Sequence, residues 1–132
     1  MGRSILAVVL GAILAVIAIA TVESVSHIVY PPPPGLSPND MEAVREYMAK
    51  IPTGALLMVA LAWLVGATVG GWFAAWFARR SPAVCAWIVC GLVLLAGLAN
   101  LLILPHPTWF WPVGLAAFPL GTLVGLRLAG RA

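Results

Sequence analysis

Charge is what this chain has least of. Of its 132 residues, 8% are Asp, Glu, Lys or Arg, against about 25% in soluble domains. A chain this short of ionised groups cannot cover itself with polar surface. With 63% hydrophobic residues and a mean hydropathy of +1.07, its expected solvent is lipid. Aspartate occurs once, at Asp40, and histidine twice, at His27 and His106. The aspartate falls in the outer loop and nothing fixes a nucleophile, so no Ser-His-Asp order is read. There is no H-E-x-x-H and no C-x-x-C motif. There is no glycine-rich phosphate loop either, since the glycines fall within apolar runs, where close helix packing is their default use. The net charge of +3 is dispersed and the aromatics are interleaved with aliphatics, so nucleic acid is not an expected partner. The two cysteines, Cys85 and Cys90, share one apolar run. Their spacing puts them about 140° apart on a helix, which suits neither a disulfide nor a shared metal.

What is present is four long apolar runs. The first extends from about residue 5 to 26, enough for the roughly 20 residues that a bilayer core requires. Its Ala7, Gly11 and Ala15 recur at every fourth position, a small-residue stripe for close helix approach. A secretory signal is the rival reading, with Arg3 as the basic start and Ala18-Ile19-Ala20 as an A-x-A site. The run exceeds the roughly 7–15 apolar residues of such signals, so a span is preferred. The second run covers about 55–78, with Gly66 and Gly70 as its stripe. The third covers about 83–104 and is interrupted by Asn100. The fourth covers about 109–126, with Gly121 and Gly125 on its stripe and a kink expected at Pro119.

Between the first two runs lies a loop, about 31–52. Pro31 to Pro34 is a stiff extended connector. Ser37-Pro38-Asn39-Asp40 reads as a helix start, with Ser37 as cap and Pro38 in the first turn. Met41, Val44, Met48 and Ile51 then form one apolar stripe, predicting a short amphipathic helix at the membrane surface. Arg3, Arg79, Arg80, Arg127 and Arg131 all fall on one side of a four-span arrangement. Arg45 and Lys50 fall on the other, among the acids. The positive-inside rule therefore places both termini in the cytoplasm. The tryptophans read as interfacial belts. A G-x-x-V-G pattern occurs at Gly66–Gly70 and again at Gly121–Gly125. It hints at two tandem hairpins, although these residues are common enough in membrane helices for coincidence to be the preferred account.

The chemistry-bearing residues converge by depth. At about 1.5 Å per residue, Glu23 lies roughly 27 Å from Ile5 and Asn100 roughly 25 Å from Ala83. His27 and Tyr30 follow Glu23 at i+4 and i+7, on one helical face. His106 lies in the turn beyond Asn100. Glu23, His27, Tyr30, Asn100 and His106 are therefore expected to form a polar cluster at the outer mouth. Its possible uses are a proton or small-ligand site, or a divalent metal held by Glu23, His27 and His106. The simpler alternative is a hydrogen-bonded helix end, with Glu23 accepting from His27 or Asn100.

The pattern Glu23-x-x-x-His27-x-x-Tyr30-Pro-Pro-Pro-Pro-Gly35, with the glycine-to-arginine stretch 66–80 and Asn100-Leu-Leu-Ile-Leu-Pro-His106-Pro, resembles a family of small bacterial inner-membrane proteins with four spans and no assigned activity. The resemblance implies a multi-pass protein of the bacterial plasma membrane and imports no catalytic residue or cofactor. The expected architecture is an all-α integral membrane protein, a four-helix bundle with a short helix in its first outer loop. The leading functional expectation is a non-enzymatic membrane component, as a homo-oligomer or beside a membrane protein partner. The alternative is a transporter or sensor that uses the outer cluster.

Overall fold

Proline and one left-handed serine set the limits of the helices. The computed structural model describes residues 1–131, which form five helices and no strand among the described residues. α1 spans Gly2–Val29 and stops where Tyr30 leaves helical geometry ahead of the four prolines, its N–H donating to the Ser26 carbonyl at 2.7 Å. α2 spans Met41–Lys50, and α3 spans Thr53–Phe77 behind Pro52. α4 spans Pro82–Ile103, with Pro82 in its first turn. The tight connection before it requires Ser81 at φ 49°, a left-handed conformation that costs an L-residue about 1–2 kcal/mol. α5 spans Phe110–Leu128 and stays helical on both sides of Pro119. Four of these helices are long and apolar enough to cross a membrane.

α3 lies among the other long helices, touching α1, α4 and α5, whereas α1 and α5 do not meet. Backbone proximity explains why. At the α1–α3 contact, a methyl group added at Gly70 would lie 2.7 Å from the Gly11 carbonyl oxygen and 2.8 Å from the Ala15 Cβ. One added at Gly66 would run into Ile19. On the opposite side of α3, a methyl at Gly121 would lie 2.5 Å from the Leu64 oxygen, and one at Gly125 would lie 2.6 Å from the Thr68 oxygen. The two G-x-x-V-G stretches thus pack on unlike neighbours. Gly66 and Gly70 of α3 face α1, whereas Gly121 and Gly125 of α5 face α3. Two equivalent hairpins would have set the second pair against α4.

The hydroxyls inside these apolar helices are satisfied locally. Thr68 donates to the Leu64 carbonyl at 2.8 Å and Thr122 to that of Phe118 at 2.9 Å, so neither carries an unpaired polar group into a dry interior. Trp72, Trp76, Trp87 and Trp109 lie exposed on the surface of the bundle. Trp63 departs from the expected belt. It is 4% exposed and stacks on Phe118, with centroids 5.1 Å apart, while Phe110 meets its edge at 5.5 Å. At the end carrying the termini, Arg3 Nε donates to the Phe77 carbonyl at 2.8 Å and its guanidinium lies 4.4 Å from the Phe77 ring. A cation there complements the negative end of α3.

The loop helix begins later than expected. Its N-cap is Asp40, whose Oδ1 accepts from the Ala43 N–H at 3.2 Å. Ser37 instead closes the preceding turn, its carbonyl accepting from the Asp40 N–H at 3.1 Å and its hydroxyl from the Asn39 N–H at 3.3 Å. Of the predicted stripe, Val44, Met48 and Ile51 pack against the core, and Met41 stays exposed.

Candidate functional site

The end of the molecule that carries α2 contains a cavity of about 200 Å³. α1 supplies Glu23, Ser26, His27 and Tyr30, in successive turns of one face. α2 closes it with Tyr47 and Met48, α4 contributes Asn100, and the turn after α4 contributes His106. The five polar residues expected to converge therefore line one cavity. Their burial differs: Glu23, Tyr30 and His106 are half-buried, and His27 and Asn100 are exposed. Tyr30 projects toward α3 until its hydroxyl meets the space beside Gly54, where any side chain would collide with it.

A second cavity, of about 220 Å³, begins where the first ends. Glu23 and Asn100 line both. It is a slot between α1 and α4, walled by Val16, Ile19 and Val93, with Trp63 and Phe118 beneath. The slot exists because α1 and α4 pack tightly only nearer the termini. There a methyl at Gly11 would lie 3.2 Å from a Val89 methyl, and the Cys85 thiol lies 3.9 Å from the Ser4 carbonyl. Both cysteines are buried free thiols.

His106 is the best-defined polar group here. Its Nδ1 lies 2.9 Å from the Leu104 carbonyl, an acceptor, so Nδ1 carries the proton and Nε2 is left as an acceptor. The ring stacks on Phe110 at 5.0 Å. Desolvation by these neighbours pushes its pKa below the ordinary 6.5, with the Leu104 carbonyl partly opposing, so the neutral ring dominates at pH 7.

Glu23 makes no hydrogen bond to His27 or Asn100 among the described residues, so the structure contains neither of the two expected carboxylate pairings. Nor do three described His, Cys, Asp or Glu side chains stand where they could hold a metal ion together. A zinc site takes three or four protein ligands, and the described residues gather no such set. What remains is recognition chemistry: one carboxylate, two phenols, two imidazoles, a hydroxyl and an amide around a space open at one end.

Spacing marks Glu23, His27 and Tyr30, and depth marks Asn100 and His106. Sequence reasoning missed Ser26, Tyr47 and Met48. Ser26 sits at i+3 from Glu23 and i−4 from Tyr30, so the same face rule reaches it. Tyr47 flanks the apolar stripe of α2, but no local signal says that this stripe closes over α1. Comparison with protein-family models, curated proteins and solved structures finds no match to this chain.

Proposed function

We propose that the chain is a four-span bundle of the bacterial inner membrane, both termini cytoplasmic and α2 at the outer surface, that works without catalysis by binding a small ligand at its outer end. The observation that carries this reading is the cavity shared by α1, α2, α4 and the α4–α5 turn, which gathers Glu23, Ser26, His27, Tyr30, Tyr47 and His106. In a chain with so few polar side chains, their collection at one opening favours binding. Orientation rests on charge. The end bearing Glu23, Asp40, Glu42 and Glu46 holds only Arg45 and Lys50 as bases, whereas Arg3, Arg79, Arg80, Arg127 and Arg131 belong to the other. The positive-inside rule puts the arginine-rich end in the cytoplasm.

Single cysteines test both parts in a background lacking Cys85 and Cys90. In intact cells, a membrane-impermeant maleimide should label Ser37→Cys, Pro107→Cys and Ser26→Cys, and should spare Ser81→Cys. Labelling of Ser81→Cys instead would invert the topology. An unreactive Ser26→Cys beside a reactive Ser37→Cys would mean that the cavity is closed to the outside, and the binding reading would fall.

A second reading, as a subunit beside another membrane protein or a second copy, draws support from α1. That helix buries only Ala7, Gly11, Ala15 and Ser26 and presents an otherwise apolar flank. Lipid satisfies the same flank, so the mass of the detergent-solubilised particle separates the two.

A further inference from the structure

The two cavities share Glu23 and Asn100, and their linings are unlike. The outer one is polar and aromatic. The inner one is a slot whose other walls are apolar: Val16, Ile19, Trp63, Val93, Gly97 and Phe118. We propose that they form one site for an alkylammonium amphiphile, with its ammonium head against Glu23 and its hydrocarbon chain in the slot between α1 and α4. The inference deepens the reading of this end as a binding site and rests on it.

Charge and shape both select that ligand class. No Lys or Arg lines either cavity among the described residues. The carboxylate of Glu23 therefore has no Lys or Arg beside it, His27 one turn on being the group whose charge bears on it, and it suits a ligand that brings a permanent cation. The other groups facing the same space are His27 and Tyr30 of α1, Tyr47 of α2, Asn100 of α4 and the neutral His106 ring. Two phenol rings near a carboxylate favour an organic cation, which ring faces attract. The four acids and two bases of this end leave it formally negative, which raises the local concentration of cations.

The slot adds the demand for a chain. It lies deeper than Glu23, it is floored by the stacked Trp63 and Phe118 rings, and it opens along the α1–α4 seam, where a tail can enter from lipid. Joined, the cavities fall within the roughly 300–1,000 Å³ of small-molecule sites. An anionic amphiphile of equal length would place its head against Glu23 and be rejected.

The test uses the full chain in nanodiscs of phosphatidylglycerol, whose head carries no ammonium group, with partitioning into empty discs subtracted. Decylammonium is the probe, ethylammonium the tail-less control and decyl sulfate the anionic control. Decylammonium should bind saturably and at least about tenfold more tightly than ethylammonium, while decyl sulfate should show no saturable component. Glu23→Gln should weaken decylammonium at least about tenfold, equivalent to about 1.4 kcal/mol. Ala96→Phe, which fills the slot mouth from an exposed position, should weaken decylammonium similarly and leave ethylammonium unchanged. This second variant keeps the test decisive if Glu23→Gln folds poorly.

Equal affinity for decyl sulfate, or decylammonium binding indifferent to both substitutions, overturns the proposal. Replacing part of the phosphatidylglycerol with phosphatidylethanolamine assigns the source of the ammonium. Competition with decylammonium supports a membrane lipid as the occupant, and undiminished binding supports a free amine. A cavity that labels at Ser26→Cys while decylammonium fails to bind removes this inference alone. A cavity that does not label removes the reading beneath it.

Discussion

Gly70→Ala measures how closely α1 and α3 approach. The added Cβ would lie 2.7 Å from the Gly11 carbonyl oxygen, 2.8 Å from the Ala15 Cβ and 3.0 Å from a Val89 methyl. Two of these neighbours are fixed to helix backbones, so rotating a side chain cannot relieve the clash. α1 must move away from α3 or tilt, giving up contacts along the stripe. Overpacking of this kind costs about 1–3 kcal/mol, and two rigid neighbours on α1 favour the upper half of that range. Helix propensity opposes it, since alanine is favoured over glycine by about 1 kcal/mol. The net expectation is destabilisation by about 1–2 kcal/mol, and more for Gly70→Leu. Two glycines calibrate the measurement. Gly91 has nothing within 4 Å of its added methyl, and Gly71 meets Thr122 at 3.5 Å, an ordinary contact. Gly91→Ala should therefore be neutral or slightly stabilising, and Gly71→Ala close to neutral. Thermal unfolding of the three variants in one detergent is the assay. A second arm pairs Gly70→Ala with Gly11→Ala. They widen the same seam, so their costs should add to less than the sum. A Gly70→Ala protein as stable as Gly91→Ala would refute the close approach and, with it, the helix rotations that aim Glu23 into the cavity.

The remaining expectations are smaller. Asp40→Ala should lose about 1 kcal/mol of local capping, seen as faster hydrogen exchange in α2, whereas Ser37→Ala should disturb those amides less because Ser37 caps no helix. Arg3→Ala should cost about 0.5–1 kcal/mol by removing the bond to the Phe77 carbonyl and the contact with its ring, read as a lower midpoint in detergent, with Arg3→Lys recovering part of it. His106 makes stability depend on pH. With its folded pKa held below the ordinary 6.5, the unfolded chain binds more protons in the window just beneath that value, so this contribution is complete above pH 6.5 and declines as pH falls through the window. In His106→Asn, which keeps a donor for the Leu104 carbonyl, that component of the melting curve should vanish, and identical pH profiles for the two proteins would contradict the burial.

The candidate site was legible where spacing along one helix decides it. Glu23, His27 and Tyr30 share a face because the helix repeats every 3.6 residues. Asn100 arrives at the same depth because both helices rise by the same amount per residue. No such rule joins α2 to α1. The connector of four prolines fixes local backbone but not where the next helix lands, so Tyr47 and Met48 entered the cavity wall unannounced. The same gap accounts for the unpaired Glu23. Spacing brings Glu23 and His27 onto one face, yet a hydrogen bond depends on rotamers and on what occupies the space between them.

The sequence by itself determined the four helices long and apolar enough to cross a membrane and the end at which the polar side chains collect. These follow from hydropathy, proline and helical rise, all of which act locally along the chain. Only the tertiary structure decided that α3 takes the middle position, that Gly121 and Gly125 face α3, and that Trp63 lies in the core away from the interface. The reason is that helices apolar on every side have no hydrophobic face to orient them. Their rotations are set by the fit of small residues against neighbouring backbones, and that fit exists only once the neighbours are in place.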